Sequence, residues 1–138
     1  MTLSPQARET LDNWHRMVAA GDLSAVASLC APEAVFRSPV AHTPYRGAEV
    51  VAAFLQQAVG AFGDFRYHRT FIGSARDVVL EFSAKVGDKE LKGIDMIHFD
   101  ELGRIADFEV MVRPATGLQA LGAEMARRMT PILAAKHG

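Results

Sequence analysis

The hydrophobic period of this chain changes at Gly63, and that change constrains the fold more than any other sequence feature. Before Gly63 the apolar residues recur mostly at spacings of three and four, which is typical of amphipathic helices. After Gly63 apolar and polar residues alternate, which is typical of strands with one buried face. Because helices precede a run of hairpin-linked strands, the pattern predicts an α+β fold with its helices on one side of an antiparallel sheet.

Caps and breakers set the boundaries of the predicted elements. Ser4 and Pro5 begin a first helix that Gly21 ends, a short second helix ends at Pro32, and a third runs from about 48 to 62. A strand at 34–38 and a loop at 39–47 lie between the second and third helices, and further strands are predicted at 65–72, 78–86, 91–99 and 105–113. A final helix follows, and Pro131 should kink or break it near its end. No repeat or linker interrupts residues 1–138, which are predicted to form a single domain.

Composition argues against several classes of function. Lys and Arg number 15 against 16 Asp and Glu, whereas a dedicated nucleic-acid binder carries a basic excess. Cys30 is the only cysteine, so an intramolecular disulfide is impossible and a thiolate metal site lacks ligands. No apolar run approaches the roughly 18 residues of a membrane span. Residues 1–20 are charged and have no apolar signal region, so the chain is expected to be cytoplasmic.

The strand at 91–99 carries the best candidate for chemistry. Asp95 shares a face with Ile97 and Phe99, so if these two residues point inward, Asp95 is carried inside with them. Periodicity alone leaves two alternatives open. Asp95 is either a solvated carboxylate near the strand end, or a carboxyl group in an apolar pocket where desolvation raises its pKa.

The opposite face of the same sheet is partly apolar. Ile94, Met96 and Met111 lie there among polar residues. Apolar side chains on the outer face of a half-solvated sheet predict a homodimer interface.

Several segments together resemble the NTF2-like superfamily. They are Gly21-Asp-Leu-Ser-Ala-Val, Ala31-Pro-Glu-Ala-Val-Phe-Arg-Ser-Pro39, Tyr45-Arg-Gly47 and Gly93-Ile-Asp-Met-Ile-His-Phe-Asp-Glu-Leu-Gly-Arg-Ile105. The superfamily includes SnoaL-like polyketide cyclases, epoxide hydrolases of the limonene-epoxide kind and ketosteroid isomerases. The resemblance runs from about residue 7 to residue 113. It implies an NTF2-like cone, in which a strongly curved antiparallel sheet wraps around three N-terminal helices and a pocket. The C-terminal helix lies beyond the resemblance and either closes the cone or crosses to a partner subunit.

The same resemblance implies that the isomerase machinery is incomplete here. Ser38 stands where the isomerases have their general base, an Asp before the Pro that closes the first strand. Trp14 stands where they have the oxyanion-hole Tyr, and the supporting tyrosines match Cys30 and Leu55. Only the second oxyanion donor is kept, as Asp95. Since a serine hydroxyl cannot replace a carboxylate base, useful ketosteroid isomerase activity is predicted to be absent. The polyketide cyclases are nearest in kind, because they depend on one pocket carboxylate.

The candidate site residues follow from these two arguments. Asp95 is the candidate catalytic residue, and no metal or cofactor is expected, because the strand register keeps the histidines apart. Trp14 and Ser38 fit either a ligand contact or plain packing, and His42 fits either an acid/base at the rim or a solvated loop. The predicted pocket-lining or ligand-binding residues are Trp14, Phe36, Ser38, His42, Tyr45, Phe54, Phe82, Ile97, Phe108, Val110 and Val112.

Three functions remain open from the sequence. The first is a SnoaL-like acid/base cyclase or isomerase that acts on an apolar, oxygen-bearing small molecule through Asp95. The second is a non-catalytic binder of an apolar metabolite, which the missing base favours. The third is a dimeric interaction module whose cone is filled by its own side chains, Trp14 and Leu55 among them.

Overall fold

The computed structural model describes residues 1–137, with side chains for residues 1–135. Three helices, one 3-10 turn and six strands are formed by residues 1–137. In chain order they are α1 Pro5–Ala20, the 3-10 turn Val26–Leu29, β1 Cys30–Arg37, β2 Tyr45–Arg46, α2 Ala48–Ala61, β3 Gly63–Ser74, β4 Asp77–Val86, β5 Lys89–Phe99, β6 Ile105–Arg113 and α3 Ala115–His137.

The six strands form one curved, unclosed sheet in the order β2-β1-β6-β5-β4-β3. Neighbouring strands run antiparallel except β1 and β6, which are parallel. The long strand β3 is therefore an edge strand. Its pairing with β4 shifts register between Gly63 and Arg66 and again between Tyr67 and Thr70.

The predicted caps bound α1. Ser4 accepts a hydrogen bond from the Ala7 amide at 3.2 Å, and Pro5 occupies the first turn. Gly21 ends the helix at φ 66°, a left-handed conformation that favours glycine.

Two hydrophobic clusters fill the molecule. The larger one joins α1 and α2 to the concave face of the sheet and includes Trp14, Phe36 and Phe108. The smaller one lies under α3, where Leu121 packs near Phe82. The helices thus pack on one side of the curved sheet, and α3 covers one end of it. This is the α+β cone of the NTF2-like kind that the resemblance implied.

Three details differ from the sequence prediction. Cys30 begins β1 instead of lying in the predicted second helix, and that helix is only a 3-10 turn. Tyr45 and Arg46 form β2 within the predicted loop, because Tyr45 pairs with Phe36 and packs on the Phe54 ring at 4.4 Å. The sheet is mixed, since β1 lies parallel to β6. None of these long-range pairings is visible in a local pattern.

The helix α3 does not break at Pro131. Met129 is buried just before the proline, and Ile132 and Leu133 pack against the core just after it. These contacts hold the helix on both sides of the residue that lacks a backbone N–H. Across residues 1–137, none of the helices has the length and apolarity needed to cross a bilayer.

Candidate functional site

A small apolar cavity lies between α1, α2, the concave face of the sheet and α3. Its volume is about 50 Å³. A cavity of that size accommodates only a few water-sized groups. Its walls are formed by Trp14, Val18, Phe36, Ser38, Pro39, Val40, Phe54, Leu55, Ala58, Val59, Phe62, Phe65, Tyr67, Asp95, Phe108, Val110, Leu121, Gly122 and Met125.

The C-terminal helix closes the mouth of this cavity. Gly122 lies so near Val40 that an added Cβ atom would come within 3.1 Å of its side chain. Arg128 fixes α3 to α2 by donating hydrogen bonds to the Gln57 side chain at 3.3 Å and to the Gly60 carbonyl at 3.1 Å. Of the two positions that the sequence left open for this helix, the structure shows the one that closes the cone of its own chain.

Three polar side chains form a hydrogen-bonded row in the cavity wall. The indole N–H of Trp14 donates to the Tyr67 hydroxyl oxygen at 2.9 Å, and that hydroxyl donates to Oδ2 of Asp95 at 2.6 Å. The row joins α1, β3 and β5. Each N–H or O–H of the row points toward Asp95, so the row stabilises the ionised carboxylate.

Burial has the larger effect on Asp95. The residue is only 6% exposed, and desolvation raises the pKa of its carboxyl group from 3.8 to about 7, against the lowering effect of the Tyr67 hydrogen bond. Burial and the adjacent Asp95 together raise the pKa of Tyr67 well above its ordinary value, so the phenol stays protonated. At neutral pH the carboxyl group is therefore close to half ionised.

One oxygen of this carboxyl group remains unpartnered. Oδ2 accepts from Tyr67, whereas Oδ1 has no hydrogen-bond partner within the described side chains. Oδ1 is also not sealed off, since no fully buried polar side-chain atom in that part of the chain lacks a partner. A carboxyl oxygen that opens onto an apolar cavity is suited to accept or donate a proton there.

Comparisons with known proteins agree with this architecture. A family model for the SnoaL-like domain matches residues 11–108. The chain belongs to the SnoaL-like family. No curated protein matches it significantly.

Solved structures related to this SnoaL-like chain carry different descriptions. A steroid delta-isomerase from Pseudomonas aeruginosa is 57% identical, with a TM-score of 0.91 and coverage of 96% of this chain and 97% of that one. An uncharacterized protein with a cystatin-like fold from Silicibacter pomeroyi is 36% identical, with a TM-score of 0.82 and coverage of 88% and 85%. An NTF2-like protein of unknown function from Mesorhizobium loti is 18% identical, with a TM-score of 0.70 and coverage of 83% and 100%, which shows a shared fold.

The structure brings together some of the residues that the sequence singled out for this SnoaL-like pocket. The predicted residues that line the cavity with Asp95 are Trp14, Phe36, Ser38, Phe54, Phe108 and Val110.

Five predicted pocket residues do not line this cavity. His42 is exposed in the loop before β2, and Tyr45 packs behind Phe54. Ile97 is buried in the larger cluster, and Phe82 and Val112 belong to the smaller cluster under α3. Strand alternation predicted the inward face correctly for Ile97, Phe82 and Val112. It does not tell how far along the cone a residue lies.

Tyr67 is the site residue that sequence reasoning missed. The comparison with isomerases placed supporting phenols at Cys30 and Leu55, whereas here the phenol comes from β3. The alternation of Phe65 and Tyr67 with polar neighbours was the available signal, because it puts both rings on the inward face. Within the described residues, no cluster of three or more His, Cys, Asp or Glu side chains is arranged to hold a metal ion.

The raised pKa of Asp95 predicts that the protein loses stability as the pH rises. Between 3.8 and about 7 the folded state holds a proton that the unfolded state has already released. The free energy of unfolding therefore falls with rising pH across this window, by as much as about 4 kcal/mol. Urea denaturation below, within and above the window measures the slope.

The difference between the wild type and Asp95→Asn isolates this contribution. In Asp95→Asn the free energy of unfolding should fall less with rising pH, because the contribution of Asp95 is missing. Glu109→Gln, a control on the other face of the sheet, should keep the pH dependence of the wild type. Tyr67→Phe should move the midpoint to higher pH, because it removes the hydrogen bond that lowers the pKa of Asp95. Identical slopes for the wild type and Asp95→Asn would show that Asp95 does not titrate in this window.

Proposed function

We propose that this SnoaL-like protein catalyses proton transfer on a small, apolar, oxygen-bearing molecule through Asp95, without a cofactor. The observation that carries the proposal is the unpartnered Oδ1 of Asp95, which opens onto an apolar cavity. A carboxyl group with a pKa of about 7 can both take up and return a proton at neutral pH. An ordinary solvated carboxylate is a much weaker base.

The cavity wall supplies a second polar group for such a reaction. Ser38 accepts a hydrogen bond from the Val40 amide at 3.2 Å, which leaves its hydroxyl hydrogen able to donate to a substrate oxygen. Ionised Asp95 would take a proton from a carbon beside a carbonyl. The C–H electron pair would form the C=C bond of an enolate while the C=O π pair moves onto the oxygen, to which Ser38 donates. Return of the proton from Asp95 to another carbon of the conjugated enolate, with the C=O bond formed again, completes an isomerisation. Attack of the enolate carbon on a second carbonyl of the same molecule closes a ring, and transfer of the proton from Asp95 to the resulting alkoxide completes a cyclisation.

Exchange of the α-hydrogens of acetone, which is small enough for the cavity, with deuterium tests this proposal without knowledge of the substrate. The wild type should accelerate exchange over buffer, and Asp95→Asn should lower that acceleration by at least about a hundredfold, since a positioned base contributes that much. Proton NMR follows the loss of the α-signal. Glu109→Gln should exchange like the wild type, and exchange that survives unchanged in Asp95→Asn would rule out Asp95 as the base.

Steroid isomerisation is the more specific activity that the Pseudomonas aeruginosa relative suggests. Two observations speak against it in this chain. Ser38 occupies the position where the resemblance requires a carboxylate base, and a cavity of about 50 Å³ is far smaller than the several hundred Å³ of a drug-sized ligand site. The absence of useful ketosteroid isomerase activity therefore stays our prediction.

A Δ5-3-ketosteroid assay, followed by the absorbance of the conjugated product, checks this prediction. The wild type should show no useful turnover. Ser38→Asp supplies the missing base but not the missing space, so it should show no useful turnover either. Wild-type turnover that disappears in Asp95→Asn would contradict the prediction and make this chain a steroid isomerase.

Non-catalytic binding of an apolar metabolite is the second candidate. It is favoured by the composition of the cavity wall, in which Asp95 is the only carboxylate and histidine is absent among the described lining residues. Ligand binding without any exchange of α-hydrogens would support this candidate. A cone filled by its own side chains is the third, and the small cavity volume favours it.

We also propose a homodimer through the outer face of the sheet. Phe71, Met96 and Met111 are 49%, 37% and 44% exposed there. The same face carries Glu81, whose pKa Arg69 and Lys92 hold at about 2 by hydrogen bonds and ion pairs. Because this carboxylate is already paired, covering the face with a second copy leaves no isolated charge at Glu81.

Sedimentation equilibrium tests the dimer. The double substitution of Met96→Lys and Met111→Lys should weaken association at least about tenfold, because it places two cations in an apolar contact. Leu102→Lys is the matched control, since Leu102 is 67% exposed in the hairpin turn between β5 and β6. A wild type that remains monomeric at every concentration would contradict the proposed interface.

Two sequence expectations stay predictions. One is a cytoplasmic location, and the other is the assignment of residues 1–138 to one domain. Subcellular fractionation of cells expressing the tagged chain tests the first, and limited proteolysis tests the second.

A further inference from the structure

A second depression opens beside the cavity, along the edge strand β3. This side cleft has a volume of about 520 Å³ and lies between the end of α1, the end of α2 and the start of β3. It exists because the sheet does not close, so β3 has no neighbouring strand on this side. His15 and Ala19 on α1 line the cleft and do not line the cavity.

The side cleft and the cavity share one wall. Five residues line both, namely Val18, Val59, Phe62, Phe65 and Tyr67, and each is only half-buried. The partition is thus no thicker than these side chains. It includes the phenol that donates to Asp95, so the cleft leads directly to the hydrogen-bonded row.

The strand that carries this partition is irregularly paired. In the pairing of β3 with β4, the register shifts both before Arg66 and after Tyr67. Asp64 has a φ of 49°. Irregular pairing at a sheet edge leaves a strand with fewer ladder hydrogen bonds to fix it. On the opposite approach to the cavity, at the mouth, α3 packs over the cavity and Gly122 lies against Val40.

We propose that the side cleft binds the apolar body of the same molecule whose oxygen-bearing head reaches Asp95, with the Phe65 side chain of the partition turned aside to let the molecule pass. This inference rests on the proposed function and deepens it, because it names the class of substrate. The cavity holds a few heavy atoms and the cleft is about tenfold larger, by the ratio of 520 to 50 Å³. The substrate is accordingly an elongated molecule with a small carbonyl or hydroxyl head and a long apolar tail.

The chemistry of the cleft suits such a tail. Apart from His15 and Tyr67, its described walls are aliphatic and aromatic carbon with the backbone of Gly21. Burial lowers the pKa of His15, so its imidazole is neutral at neutral pH, and it packs edge-on against the Tyr67 ring at 5.1 Å. A neutral imidazole among apolar side chains does not favour a charged ligand.

Acetone and 2-nonanone test the proposal, because they share a methyl ketone head and differ only in the tail. Binding is measured by NMR from the indole N–H signal of Trp14, the only tryptophan of the chain, and from the carboxyl carbon of Asp95. For the wild type, 2-nonanone should bind at least about tenfold more tightly than acetone, since each buried methylene contributes roughly fourfold.

Two phenylalanine substitutions locate the tail. Ala19→Phe fills the side cleft from an exposed helical position, and it should abolish the gain from the tail while acetone still binds. Ala20→Phe is the matched control, since Ala20 is exposed on the same helix and lines neither the cleft nor the cavity, and it should leave the gain intact.

The outcomes separate this inference from the proposed function. A gain that survives Ala19→Phe, or that is lost in Ala20→Phe, overturns the assignment of the cleft while acetone binding at Asp95 still stands. Acetone that binds the wild type with no gain from the tail also overturns it. A wild type in which neither ketone shifts the Trp14 or Asp95 signals overturns both the cleft and the proposed function.

Discussion

Burial of the Asp95 carboxyl group is the constraint on which the site depends. An ionised carboxylate in an apolar cone is costly, so the group either keeps its proton or requires donors. Tyr67 supplies one donor and Trp14 holds Tyr67, which lowers the pKa of a carboxyl group that desolvation raises to about 7. The packing of the cone thus sets the pKa of the carboxyl group close to neutral pH.

The open edge of the sheet is the second feature that shapes the site. A closed barrel would seal its interior, whereas this sheet ends at β2 on one side and β3 on the other. The C-terminal helix covers the mouth and is held to α2 through Arg128. Beside β3, which has no neighbouring strand on its outer side, lies the side cleft.

Membership of the SnoaL-like family fixes the fold more firmly than the reaction. The 57% identical Pseudomonas aeruginosa protein is named a steroid delta-isomerase, yet the base position that the resemblance assigns to isomerases holds Ser38 here. The cavity wall is made mostly of carbon, and its polar side chains are those of Trp14, Ser38, Tyr67 and Asp95. Because one substitution in such a wall leaves the cone and its core in place, a shared fold does not imply a shared reaction.

The sequence by itself determined the three α-helices, the four long strands, the family and the inward face that carries Asp95. It could do so because periodicity, caps and short motifs are local properties. Only the tertiary structure decided that β1 pairs in parallel with β6, that Tyr45 forms a strand, and that α3 continues past Pro131. It also decided that Tyr67 meets Asp95 and that Phe82 and Val112 lie away from the cavity. Alternation tells which face a side chain takes, whereas depth along the cone and partners across strands depend on contacts between residues far apart in the chain.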